Sequence, residues 1–144
     1  MIDAQGILAV LVGALLVGIT GLKHRELRAP LIVGFATRVF ALLYDVLQAP
    51  LPMGDDGVGW SAAAAAWSSD GLFGTLSYIG TGVQFYVWCM SVLYALCGVS
   101  TLMVQAVNVT LGTLVISGVF HIARALGAKS RMARGAAWGV ALFP

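Results

Sequence analysis

Val83-Gln84-Phe85-Tyr86-Val87-Trp88-Cys89-Met90-Ser91-Val92-Leu93-Tyr94-Ala95-Leu96-Cys97, closed by Gly98, is an uncharged, aromatic-rich run of fifteen residues. At ~1.5 Å of rise per residue a helix needs about 20 residues to cross the ~30 Å core of a bilayer. This stretch either lies along a membrane surface or crosses it short. Charge decides between the two. The connectors Lys23-His24-Arg25-Glu26-Leu27-Arg28 and Arg124-Ala125-Leu126-Gly127-Ala128-Lys129-Ser130-Arg131 are basic, and no Lys or Arg falls between Arg38 and Arg124. If Val83–Cys97 does not cross, both connectors share one side, with seven of the eight basic residues. If it crosses, the second cluster falls outside, against the positive-inside rule. The sequence therefore predicts a surface helix here.

Composition agrees with a membrane setting. The chain is 60% hydrophobic and 10% charged, with mean hydropathy +0.93, where soluble domains carry about a quarter charged residues. A net charge of +2 is too small to argue for a nucleic-acid partner. Cys89 and Cys97 lack metal or disulfide spacing and have no cation beside them, which reads as two buried or lipid-facing thiols.

Outward from that stretch, the chain reads as an all-α integral membrane protein. Residues 4–22 form a first span. It follows Asp3 rather than a basic cluster and precedes a basic loop, so it is not a secretory signal. Pro30 opens a second span over 31–47, which carries Arg38 and Asp45 on one face, about two turns apart. Arg38 there is either functional or a structural partner of Asp45 or of another helix. Residues 101–123 form a third span, and a fourth helix begins near Met132. Only thirteen residues remain from Met132 to Pro144, so the chain is expected to be the N-terminal part of a larger protein whose fourth span is truncated here. The resulting topology places the N-terminus and residues 48–100 on the extracytoplasmic side.

That loop begins with Gln48–Gly57 as a turn, because Pro50 and Pro52 stop the second span. Val58–Ser69, with the run Ala62–Ala66, then predicts an amphipathic helix at the membrane surface. Trp60 and Trp67 share one face, with Ser61, Ser68 and Ser69 on another. Leu72–Gly82 is a glycine-punctuated connection to the second surface helix, Val83–Cys97.

Four of the six acidic residues lie between Asp45 and Asp70, and two of them are adjacent in Met53-Gly54-Asp55-Asp56-Gly57-Val58-Gly59-Trp60. An Asp before a helix is a favoured N-cap, and Asp-Asp-Gly is good turn chemistry. Two neighbouring carboxylates at a partly desolvated interface are equally suited to acid–base work, since each raises the other's proton affinity. His24 and His121 are expected in solvated or helix-end positions. Gln105 and Asn108 are expected to hydrogen-bond neighbouring helices.

The order Asp56, Trp60, Ala62–Ala66, Gly71 resembles the first outer loop of polytopic glycosyltransferases of the C superfamily, in particular the bacterial lipid-A glycosyltransferase and protein-mannosyltransferase-like group. Leu93-Tyr94-Ala95-Leu96-Cys97-Gly98 stands where the family ends its second surface helix. Asn108, Gly112, Arg124 and Ala141-Leu142-Phe143-Pro144 follow in the family's order. The likeness covers about Pro50 to Pro144, with Trp60 where the family more often has Tyr; the first span has no counterpart in its simplest members.

The resemblance implies transfer of a sugar from a polyprenyl-phosphate donor to a glycan, lipid or protein acceptor on the extracytoplasmic face of a bacterial cytoplasmic membrane. It implies Asp56 as the base that activates the acceptor hydroxyl, supported by Asp55, and Trp60 as a substrate-binding residue; Arg38, outside the likeness, is a further substrate-binding candidate because it is a cation within an apolar span. Some members use a divalent cation, for which Asp55 and Asp56 would be the ligands. Under this reading the 144 residues alone are expected to be inactive. The alternative is a small non-enzymatic subunit or scaffold assembling through Gly- and Ala-rich helix faces. A transporter segment built on Arg38 and Asp45 is the third reading.

Overall fold

The computed structural model describes residues 3–48 and 55–143, and at positions 45, 46, 48 and 55–58 the backbone alone. All regular structure among the described residues is helical. The elements are α1 (Ala4–Lys23), a 3-10 turn (Arg25–Leu27), α2 (Arg28–Gln48), α3 (Asp55–Ser68), α4 (Gly71–Leu76), α5 (Val83–Cys97), α6 (Thr101–Ala125) and α7 (Ser130–Leu142). Helices Ala4–Lys23 and Thr101–Ala125 and the stretch Arg25–Tyr44 are long and apolar enough to cross a membrane, whereas α5 stops at 15 residues.

α1 and α6 run parallel in one register along their whole length. At one end the Asp3 carboxylate caps α1, accepting from the Gly6 N–H at 2.7 Å. Ser100 caps α6, accepting from the Met103 N–H at 2.9 Å, and its hydroxyl donates to Asp3 at 2.8 Å. At the other end the rings of His24 and His121 meet edge to face, 4.8 Å apart. Between these ends α1 turns its small residues inward: Gly6, Gly13, Val17 and Gly21 are buried. A Cβ on Gly6 would stand 2.4 Å from Leu102, and one on Gly13 would stand 2.1 Å from the Thr110 hydroxyl. Leu8, Leu11, Leu15 and Leu22 point outward, each more than 60% exposed. Such an inside-out pattern fits helices that meet by close backbone approach and face lipid with their large side chains.

α2 packs antiparallel to α6, with Gly34 against Ile116 and Arg38 beside Gly112. α7 returns parallel to α2 and lays its fully buried stripe Ala133, Ala137, Ala141 into the core formed by Val17, Leu31, Ile116 and Phe120. The turn into α7 is set by Gly127 at φ +86°. The Ala128 and Gly127 N–H groups bond back to Ala123 and Arg124, the Schellman closure that a left-handed residue permits.

The second packing unit joins α3, α4 and α5 to the start of α6. Ala64, Val87, Met90, Tyr94, Met103 and Val104 form its core. Thr75 is fully buried and donates to the carbonyl of Trp67, while Trp88 donates its indole N–H to the carbonyl of Thr75, tying α3, α4 and α5 together. Gly98 ends α5 at φ +90°, a conformation that costs a Cβ-bearing residue strain.

Several boundaries shift from the sequence expectations. α2 begins at Arg28, not after Pro30, so Pro30 sits inside the first turn, where its missing N–H is still not needed. α3 begins at Asp55, three residues before Val58, and the Leu72–Gly82 connection contains a helical turn and a half, α4. Pro50, Pro52, Met53, Gly54 and Pro144 lie outside the described residues.

Candidate functional site

α3 presents Trp60 and Ser61 toward a cavity of about 200 Å³ formed with α5 and α6. Trp60, Ser61, Tyr86, Gln105 and Asn108 give it a polar, aromatic lining, and Met90 and Val104 back it. The polar groups are organised by one another. The Asn108 amide donates to the Tyr86 hydroxyl at 2.7 Å, and the rings of Trp60 and Tyr86 meet edge to face at 6.1 Å. Ser61 and Tyr94 share a hydrogen bond of 3.1 Å. The serine that the sequence places on a polar outer face is thus turned inward by a tyrosine one helix away. Gln105 lines the same cavity and is itself engaged in a polar interaction.

The backbone places Asp55 and Asp56 in the first turn of α3, one turn before Trp60 and Ser61. That turn carries the partial positive charge of the helix N-terminus, which favours carboxylates there. The register sets Asp56 four residues before Trp60, on the same stripe of the helix. The side chains of both aspartates lie outside the description, as does the metal-holding role considered for them. Among the described residues, no three His, Cys, Asp or Glu side chains come together as a metal site.

Arg38 does not line this cavity. Its guanidinium donates to the carbonyl oxygens of Gly34 at 2.9 Å and Val140 at 3.0 Å, with Ala141 at 3.5 Å. Val140 and Ala141 lie in the last turn of α7, where carbonyls have no intrahelical donor, so a cation takes those acceptors. At the opposite end of α7, Ser130 donates to the Glu26 carboxylate. An acid at the N-terminus and a base at the C-terminus both match the helix dipole. The structure thus gives Arg38 a helix-anchoring role. The sequence leaves another helix open as its partner, but α7 carries no acidic residue to mark it. The side chain of Asp45 is outside the description.

On the rim of the α3–α5 unit, Tyr78 stacks on Trp67 and donates to Asp70 at 2.5 Å. That hydrogen bond, together with the negative charge of Asp70, holds the Tyr78 phenol above its ordinary pKa. Both cysteines are free; Cys97 is exposed and lines an apolar groove of about 360 Å³ between α1, α5 and α6.

Comparison with protein-family models, with curated proteins and with solved structures returned no match. The functional reading therefore stands on the residues and geometry of this chain.

Proposed function

We propose that the chain is part of a membrane glycosyltransferase that moves a sugar from a polyprenyl-phosphate donor to an acceptor hydroxyl on the extracytoplasmic side. The observation that supports it is the register of Asp56 four residues before Trp60, which lines a polar, aromatic cavity, on a helix outside the three long apolar ones. In the proposed reaction the acceptor oxygen bonds to the anomeric carbon of the sugar. The bond from that carbon to the phosphate oxygen breaks, and the phosphate leaves with the electron pair. Asp56 takes the hydroxyl proton, helped by the raised proton affinity that a neighbouring carboxylate imposes. Trp60 offers a face for sugar stacking, while Asn108 and Ser61 offer hydrogen bonds to hydroxyls.

In this reading α3, α4 and α5 lie at the outer membrane–water interface, where indole and phenol rings are favoured. The alternative, a non-enzymatic scaffold built on small-residue helix faces, would use Gly18, Gly135 and Gly139, which face open space, since Gly6, Gly13, Gly34 and the Ala133–Ala137–Ala141 stripe are occupied inside the chain.

The test is sugar transfer from the lipid-linked donor, measured in the protein's own membrane with a full-length version of the enzyme of which this chain is proposed to be part. Asp56→Asn is expected to abolish transfer while the chain inserts normally, and Asp55→Asn to reduce it. Unchanged transfer in Asp56→Asn overturns the proposal.

A further inference from the structure

The opposite end of the bundle holds a second polar cavity that sugar transfer leaves unused. It measures about 450 Å³, within the ~300–1,000 Å³ range of small-molecule sites. Lys23 and Arg25 line it from the end of α1 and the following turn, Arg124 lines it from the end of α6, and His24, Glu26 and Ser130 complete the polar part of the lining. Leu22 and Phe120 supply an apolar wall.

Three features distinguish this cluster from basic residues that only orient the chain in a membrane. First, the cations come from connectors about a hundred residues apart, yet they converge on one cavity, which orientation does not require. Second, among the described residues none of the three is ion-paired, although the cavity lining includes one carboxylate, Glu26. That carboxylate accepts from Ser130 at the start of α7 and leaves a net excess of two positive charges in the lining, while Arg124 gives one donor to the Ala128 carbonyl at 2.9 Å. Third, the cavity lies where α1 ends after twenty residues, about 30 Å from its other end, so a helix crossing the bilayer delivers it to headgroup depth. Leu22, 70% exposed, continues the wall onto the outward apolar face of α1.

A ligand that satisfies both walls is anionic at one end and apolar at the other. We propose that this cavity binds the phosphate-bearing headgroup of an anionic phospholipid, clamped by Lys23, Arg25 and Arg124, with Leu22 and Phe120 against the first methylenes of its chains. Basic pockets between crossing helices suit such headgroups. A free phosphate would use the cations but not the apolar wall.

The experiment places the purified full chain in phosphatidylcholine nanodiscs containing a minority of phosphatidylglycerol, and measures the lipid retained on gentle extraction by native mass spectrometry. Wild type is expected to retain phosphatidylglycerol selectively. R25Q/R124Q is expected to lose on the order of thirtyfold in that preference, at about a factor of five per cation. R131Q/R134Q, which removes the same charge outside the cavity, is expected to retain it. If R25Q/R124Q does not accumulate, the single K23Q variant carries the comparison with a proportionally smaller loss. Equal losses in both double variants, no selectivity in wild type, or displacement by millimolar inorganic phosphate as readily as by phosphatidylglycerol would each overturn the proposal. Because the readout is lipid retention, it is independent of sugar transfer.

Discussion

The guanidinium of Arg38, midway along α2, donates to the carbonyl oxygen of Val140 in the last turn of α7 at 3.0 Å. A cation at that depth in an apolar helix needs a partner, and a helix end without its next N–H needs a donor. Each meets the other's requirement. Replacing Arg38 with Gln is expected to loosen α7 by about 2 kcal/mol, the usual worth of hydrogen bonds to a charged group. Hydrogen exchange in detergent should show faster exchange in α7 than in α1. Arg38→Lys should recover only part of the loss, because a compact ammonium lacks the spread of the planar guanidinium, whose two nitrogens reach the Gly34 and Val140 carbonyls separately.

The bond between Asp3 and Ser100 joins the caps of two parallel helices. Asp3→Ala removes an N-cap and a partner of a buried hydroxyl, and is expected to cost about 1–2 kcal/mol of stability. Thermal unfolding in a fixed detergent measures it, with Asp3→Asn recovering much of the loss.

Gly13 and Gly18 sit in the same helix with opposite surroundings. A Cβ at Gly13 collides with Thr110, and one at Gly18 meets nothing within 4 Å. Gly13→Ala is therefore expected to destabilise the α1–α6 pair. Gly18→Ala should be neutral or stabilising, by up to ~1 kcal/mol from helix propensity. The same unfolding measurement separates them.

Tyr78 should ionise above the ordinary phenol value, because Asp70 accepts a hydrogen bond from its hydroxyl and repels the phenolate. With a folded pKa above the unfolded one, the interaction stabilises the fold below the unfolded value, and that contribution fades as pH rises through the folded pKa. Difference absorbance against Tyr78→Phe isolates this phenol, and Asp70→Asn should move it back down.

Much of the helical framework is legible in the residues, because long uncharged runs leave few alternatives and Val83–Cys97 is bounded by Gly82 and Gly98. The start of α3 is not. Two prolines and two glycines around Asp55 and Asp56 read as a turn, whereas carboxylates at the first turn stabilise the helix enough to begin it there. At the candidate site, Trp60 and Asn108 are recognisable as unusual. Tyr86 and Tyr94 look like ordinary aromatic bulk, since only the folded chain shows what their hydroxyls meet. Arg38 stands out in the sequence, but its partners are backbone carbonyls, which leave no trace in residue identity.

The proposed function depends on α3–α5 facing the side opposite the basic connectors. With Cys89 and Cys97 replaced by Ser, a single cysteine at Ser69 or at Ala128 can be challenged in intact cells with a membrane-impermeant maleimide. Ser69→Cys is predicted to label directly, and Ala128→Cys only after the membrane is permeabilised. Labelling of Ala128→Cys in intact cells, or protection of Ser69→Cys until permeabilisation, would contradict the topology and with it the assignment of Asp56 to extracytoplasmic sugar transfer.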